Sequence, residues 1–123
     1  MNYARAVEQF ITDNEVRIMQ DAFESVMPFE NAQIQWRIWR DLKRLLRRNK
    51  FVAFKSLLRE RINENSEVLL TAPSDSPEFN EAVFKMKIME SVFDVIEDCR
   101  KIEIENNHDE RAEMIVAVNG VPF

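Results

Sequence analysis

Few side chains of the kinds that enzymes use for catalysis occur in this sequence. It contains one histidine, His108, and one cysteine, Cys99. His108 is followed by acidic residues, a setting typical of a solvated loop histidine rather than a working acid or base. Cys99 falls on the apolar face of a predicted helix, where a thiol is usually buried as a small hydrophobic group. We therefore predict no catalytic residues.

The carboxylates form no recognisable metal or acid–base motif. Four of them are expected to lie on an exposed face of the last helix: Glu97, Asp98, Glu103 and Glu105. The sequence lacks the two Glu-x-x-His pairs that bundle metal sites use, one from each of two helices, and it has no zinc-ligand spacing and no glycine-rich phosphate loop. We expect a protein that is not an enzyme and that needs neither a cofactor nor a metal ion.

A basic run in the middle of the chain is the sequence feature that most strongly indicates a function. Residues 37–61 hold ten Lys or Arg residues and two acidic ones, a net charge of +8, so the rest of the chain carries −13. Its densest part is the basic patch, Arg37, Arg40, Lys43, Arg44, Arg47 and Arg48, predicted to cover one helix face. Such a face is solvated and meets acidic protein neighbours, binds nucleic-acid phosphates, or binds anionic lipid. The overall acidity and the absence of helix-turn-helix spacing argue against nucleic acid.

The elements that carry these residues are predicted by an internal repeat. Two eleven-residue segments, 29–39 and 79–89, align without a gap at an offset of 50 residues. Their identical pairs are Phe29/Phe79, Ala32/Ala82 and Ile38/Ile88. Since a single glycine and four prolines favour long helices, we predict an all-α protein of two tandem helical hairpins. These span about 13–48 and 51–105 within a helical domain of residues 1–114.

Capping and breaker residues set the predicted boundaries of the first hairpin. A short N-terminal helix is expected over 2–11, and a new helix begins near Asp13, because Thr12 and Glu15 form a capping box. Apolar residues then follow at helical spacing: Val16, Met19, Phe23, Val26 and Met27. Pro28 is expected to close this helix.

The later boundaries follow from similar signals. A helix over about 29–48 is predicted to break at Asn49–Lys50, because a single helix over 29–70 would be about 60 Å long. The next helix runs to about residue 70. Ser76 and Pro77 suit the N-cap and first position of the last helix, which we expect to end near Glu105.

The C-terminal residues are predicted to form a docking tail. A loop is expected over 106–109, and 115–118 is apolar and largely β-branched, followed by an Asn-Gly turn signal. We expect an extended segment, 115–123, that docks on a neighbouring subunit by adding a strand. The candidate interface residues are Trp36, Trp39, Ile115, Val116, Val118, Val121 and Phe123. No charged leader and no apolar run long enough to span a membrane are present.

The first hairpin has a recognisable pattern. Residues 16–46 combine a helix, a short Pro-containing turn and the phrase Ala-Gln-Ile-Gln-Trp-Arg-Ile-Trp, and residues 54–96 repeat the scheme. This pattern resembles small α-helical hairpin proteins encoded among the structural genes of tailed bacteriophages. The resemblance implies a virion-associated or assembly protein, assembled in the host cytoplasm, with no catalytic residues.

These observations lead to one functional hypothesis and two alternatives. The hypothesis is a non-enzymatic structural subunit of a larger assembly, a homo-oligomer or part of a multi-protein particle, acting through protein–protein contacts. The first alternative is a nucleic-acid-binding DNA-packaging accessory protein that uses the basic helix. The second is a small phage-encoded inhibitor of a host protein.

Overall fold

Four α-helices make up most of the described chain. The computed structural model describes the backbone of residues 3–119 and the side chains of residues 3–101. In chain order the helices are α1 (Tyr3–Phe23), α2 (Phe29–Arg48), α3 (Phe51–Thr71) and α4 (Pro77–Asn119). No strand occurs within residues 3–119. The all-α prediction is therefore confirmed.

The break between α2 and α3 and the start of α4 lie where local signals predict them. Asn49 and Lys50 have extended backbone angles, with φ −131° and ψ 156° at the first and φ −65° and ψ 151° at the second. At the start of α4, the Ser76 hydroxyl accepts a hydrogen bond from the Phe79 backbone N–H at 3.2 Å. Pro77 fills the first helical position, where a missing N–H removes no helical hydrogen bond.

The N-terminal region forms one helix, and the prediction of a short helix over 2–11 with a new helix from Asp13 was wrong. α1 runs unbroken from Tyr3 to Phe23. No glycine or proline interrupts it, and a single buried stripe runs through the predicted break: Val7, Ile11, Asn14 and Ile18. The supposed capping residues therefore lie in a helix interior, where backbone N–H groups already have partners.

The last helix is longer than predicted. The structure continues α4 through Asn119, so the predicted loop over 106–109 and extended backbone over 115–119 were wrong. Residues 120–123 of the predicted tail lie outside the described residues. The physical reason is that no glycine or proline follows Pro77 before Gly120. β-Branched residues lower helix propensity by only a few tenths of a kcal/mol each.

All four helices contribute to the core. α1 packs on α2 and α4, whereas α3 packs mainly on α4 and contacts α2 only slightly. The largest fully buried side chains are Val7, Ile11, Phe54, Leu58 and Val92. Burying each such side chain contributes about 1.5–3 kcal/mol, so this interior, rather than helix propensity, stabilises the fold.

The sequence repeat has a counterpart in burial. Aligned positions of α2 and α4 are buried together in five pairs: Ala32/Ala82, Ile38/Ile88, Trp39/Met89, Leu42/Val92 and Leu46/Ile96. The first pair of the repeat differs, because Phe29 is exposed and Phe79 is partly buried. α2 and the first part of α4 therefore present equivalent faces to the core.

α1 ends at Phe23, five residues before Pro28, in a left-handed turn. Ser25 has φ 60°, the one positive value among non-glycine residues of the described chain. The Val26 N–H donates to the Asp21 carbonyl at 2.8 Å, and the Ser25 N–H donates to the Ala22 carbonyl at 3.2 Å. This is a Schellman motif, whose left-handed position favours glycine. A residue with a Cβ atom loses about 1 kcal/mol there.

We expect Ser25→Gly to raise the free energy of unfolding by about 1 kcal/mol, because glycine adopts the left-handed conformation without steric conflict. Thermal denaturation followed by circular dichroism should show a midpoint increase of roughly 4 °C. The matched control is Ser56→Gly, an exposed position inside α3, which should lose about 0.5–1 kcal/mol. Shifts of the same sign in both variants would contradict the left-handed turn.

Candidate functional site

The turns between the helices are divided between the two ends of the bundle. Ile34 of α2, Val68 of α3 and Glu81 of α4 line one cleft. The N-terminal half of α2 therefore lies near the C-terminal half of α3 and the start of α4. It follows that the α1–α2 turn (24–28) and the α3–α4 turn (72–76) lie at the same end, away from the α2–α3 connection.

Large apolar side chains are exposed mainly at this end. Among residues 3–101, eight such side chains are exposed, and all but Val52 belong to what we call the apolar end: Val16, Met19, Phe23, Val26, Phe29, Val68 and Leu70. Phe23 is 92% exposed and Phe29 is 67% exposed. Exposed apolar clusters mark interaction sites more often than isolated apolar residues do.

A groove lies between α1 and α2 within the apolar end. This α1–α2 groove has a volume of about 190 Å³ and is lined by Ile18, Met19, Ala22, Phe29, Ala32, Gln33 and Trp36. Gln33 is its only polar lining residue. The Arg40 guanidinium lies 4.8 Å from the centroid of the Trp36 ring, so a cation borders the groove. The chemistry of this site fits an apolar side chain with a negative charge nearby.

The basic patch lies beside the groove and is partly neutralised by the protein itself. The Arg47 guanidinium contacts the Glu8 carboxylate at 2.7 and 2.8 Å. Lys43 Nζ lies 3.7 Å from the Glu15 carboxylate, and both side chains are largely buried. These ion pairs join α2 to α1.

Three members of the patch keep unpaired charges. Arg37, Arg40 and Arg48 are exposed and form no ion pair within the described side chains. Arg44 is only 3.9 Å from Asp41 on its own helix, and that pair is exposed. Of the three alternatives for this face, contact with acidic protein groups is the one for which the structure supplies a direct example.

The predicted interface residues fall into three groups. Trp39 lies in the core of the described chain rather than at its surface: it is 3% exposed and packs edge-on against Phe10, with ring centroids 5.7 Å apart. Its position places it on the same helix face as Leu42 and Leu46, which is the core face. Trp36 is partly buried and lines the groove.

The C-terminal candidates are not placed against the site. Residues 115, 116 and 118 belong to the helical backbone of α4, but their side chains lie outside the described residues, as does the His108 side chain. Val121 and Phe123 lie wholly outside them. The role predicted for these residues stays a prediction.

The exposed residues Met19, Phe23 and Phe29 were not predicted as surface candidates. One signal in the sequence identifies Met19 and Phe23. The buried stripe of α1 at Val7, Ile11, Asn14 and Ile18 has helical spacing throughout, and when it is extended without a break, Met19 and Phe23 fall on another face. The prediction of a new helix from Asp13 obscured the exposure of these two residues, because the faces of a separate helix are not fixed by the stripe that precedes it.

A second cleft, between α2, α3 and α4, is lined by charges of both signs. It has a volume of about 400 Å³, and its charged residues are Arg37, Asp41, Arg61, Glu64, Glu81 and Lys85. Asn65, buried at its base, donates a hydrogen bond from Nδ2 to the Ala82 carbonyl at 2.7 Å. The mixed charge favours no particular ligand class.

The residues considered for chemistry that fall within residues 3–101 differ in their exposure. Cys99 is buried and free, as predicted, and Asp98 is exposed. Among the side chains of residues 3–101, no cluster of three or more His, Cys, Asp and Glu residues has metal-binding geometry. None of the helices, over the residues that are described, has the length and apolar character to cross a bilayer.

One acidic residue of the last helix has a defined role in packing. The Glu97 carboxylate forms an ion pair with Lys55 Nζ at 3.2 Å, and this pair joins α4 to α3. The hydrogen bond from Lys55 lowers the pKa of Glu97 below its ordinary value, partial burial opposes this, and the charges of Lys55, Arg100 and Arg59 reinforce it. Lys55 and Arg59 also lie over the Phe93 ring, at 5.8 and 5.5 Å.

Comparisons of the chain with protein-family models, with curated proteins and with solved structures found no match. The function is therefore inferred from the surface chemistry of the bundle.

We expect the two tryptophans of the repeat to respond differently to truncation. Trp39→Ala should lower the free energy of unfolding by about 3–5 kcal/mol, because it empties a core position. Trp36→Ala should lower it by only about 1 kcal/mol, because that side chain is partly exposed. Urea denaturation of both variants measures the difference. Equal losses would contradict the placement of Trp39 in the core and Trp36 at the groove.

Removing the Glu97 carboxylate should change how stability depends on pH. A lowered folded-state pKa means that the ionised form stabilises the fold above the unfolded-state pKa, and that this contribution disappears as the pH falls through the folded-state pKa. We expect the wild type to be more stable than Glu97→Gln near pH 7, with the gap closing below about pH 4. Urea denaturation over a pH series tests this, with Glu60→Gln as the exposed control. A gap that widens toward low pH would contradict the assignment.

Proposed function

We propose that this protein is a non-enzymatic subunit of a larger protein assembly and acts through protein–protein contacts. The observation that carries the proposal is the apolar end, which holds seven of the eight large apolar side chains that are exposed within residues 3–101. Phe23 and Phe29 remain in water in the isolated chain, and burial of such a side chain contributes about 1.5–3 kcal/mol. A partner that covers them recovers this free energy.

The proposal includes an arrangement of two tandem hairpins. α1 packs on α2, and α3 packs on α4. The shared burial of aligned positions in α2 and α4 supports the same view. The outer face of the first hairpin, with its groove and basic patch, is then available to another molecule, while the inner face forms the core.

The assembly that we propose is a bacteriophage virion, built in the host cytoplasm. This part of the proposal rests on the resemblance of residues 16–46 and 54–96 to hairpin proteins of tailed phages. The surface chemistry is compatible with it, because a subunit needs anchors and oriented charge rather than a reactive centre.

Nucleic-acid binding is supported less well than protein binding. A phosphate that approaches Arg47 or Lys43 must compete with Glu8 and Glu15, which already contact them. An interface dominated by phosphate contacts also leaves the apolar end uncovered. Inhibition of a host protein uses the same surface as assembly does, and differs from it in producing a single stoichiometric complex.

Replacing the two exposed phenylalanines should abolish assembly while leaving the fold intact. We expect Phe23→Ser/Phe29→Ser to retain its helical circular dichroism and to change the free energy of unfolding by about 0.5 kcal/mol or less, because both side chains are largely in water. The tagged chain is expressed in cells together with the other genes of the genome that encodes it, and the lysate is sedimented through a gradient. The wild type should sediment with large particles, and the variant should remain at the top of the gradient.

Val52→Ser is the matched control for this experiment. Val52 is 78% exposed but lies at the opposite end of the bundle, so its loss should leave sedimentation unchanged. Normal sedimentation of the double phenylalanine variant would refute an assembly role for the apolar end.

A further inference from the structure

One stripe of α2 beside the groove changes sign along its length. Its exposed positions follow heptad spacing, i, i+3, i+7, i+10 and i+14, and are occupied by Glu30, Gln33, Arg37, Arg40 and Arg44. Spacing of this kind keeps residues along one seam of a helix. The stripe is therefore negative near the α1–α2 turn, neutral at the groove and positive farther along α2.

The charges at the two ends of this stripe are available to a partner. Glu30 and Arg40 are exposed and form no ion pair within the described side chains. Arg37, between them, is also exposed and lines the second cleft, between α2, α3 and α4. Between Glu30 and Arg40 lie Gln33 and Trp36, which line the groove. The seam thus has Gln33 and Arg37 at its centre, opposite charges at Glu30 and Arg40, and the apolar groove along its side.

A surface with this order is complementary to itself when two copies run antiparallel. A two-fold axis near the middle of the groove brings Glu30 of each copy opposite Arg40 of the other, and Gln33 opposite Arg37. It also directs each Trp36 toward the other copy's groove. Isologous pairing of this kind satisfies both ends of the stripe with a single contact pattern. A parallel pairing instead places like charges opposite each other.

We infer that the outer face of the α1–α2 hairpin is a homodimer interface, with a second copy of this chain as its occupant. This inference rests on the proposed function and names the first partner in the assembly. The apolar groove supplies affinity, and the Glu30–Arg40 contacts, made twice, set the antiparallel orientation. Phe29 and Met19 at the edge of the groove become covered in the dimer.

The test uses charge reversal in the purified full-length chain, with mass measured by light scattering and sedimentation equilibrium. The wild type should form a species of twice its 14.6 kDa mass. Arg40→Glu and Glu30→Arg should each weaken dimerisation about tenfold or more, because each places two pairs of like charges across the axis. The double variant Glu30→Arg/Arg40→Glu should return the dissociation constant to within about threefold of wild type.

Two controls separate the interface from folding. Lys87→Glu makes the same change at an exposed position of α4 and should leave dimerisation unchanged. Arg40→Gln, which does not introduce a like charge, should give an intermediate loss. The thermal midpoint of each variant at a concentration where it is monomeric should match that of the others.

Several outcomes would overturn the inference. They are a wild type that stays monomeric up to about millimolar concentration, a dimer insensitive to both reversals, and a double variant that is not rescued. A monomeric wild type combined with loss of particle sedimentation in the Phe23→Ser/Phe29→Ser variant would assign the groove to a different protein. The proposed function would then stand while the homodimer fails.

Discussion

The packing of α2 against α4 helps to join the two most extensively packed helix pairs, α1 with α2 and α3 with α4, into one bundle. Both helices bury residues at the aligned positions of the repeat, from Ala32/Ala82 to Leu46/Ile96. α1 packs against both of these helices, and α3 is held mainly by α4. The free energy of this interior is the hydrophobic burial of aliphatic and aromatic side chains. Because the inner faces supply that stability, the outer faces of the helices can carry charge and exposed aromatics without unfolding the bundle.

The ion pairs between α1 and α2 affect both the fold and the surface. Glu8–Arg47 and Glu15–Lys43 link the two helices, although a partly exposed pair such as Glu8–Arg47 contributes only about 1 kcal/mol or less. Their larger effect is electrostatic. They reduce the net positive potential of the basic patch. The surface is therefore less suited to phosphate than the composition of residues 37–61 implies.

The parts of the fold that were predictable are those with a local cause. The extended backbone at Asn49 and the cap at Ser76 follow from the chemistry of a few neighbouring residues. Longer-range features were not predictable in this way. Thr12 and Glu15 match a capping box locally, but the continuous buried stripe of α1 outweighs that signal. Because the prediction began a new helix there, it assigned Phe23 to the wrong helix face and missed its exposure. Trp39 looked like a surface aromatic because its burial depends on how α2 is rotated against α1, which the sequence pattern of one helix does not determine.

The buried amide of Asn65 has a consequence for how the helices align. Its hydrogen bond to the Ala82 carbonyl crosses from α3 to α4, whereas Asn14, which is also buried, bonds to the Phe10 carbonyl within its own helix. Aliphatic stripes of regular spacing tolerate sliding, since one methyl-rich ridge resembles the next. If α3 moved one turn past α4, about 5.4 Å, the amide would be stranded in an apolar interior, at a penalty of roughly 1–3 kcal/mol. A single side-chain amide thus fixes the axial register of α3 against α4.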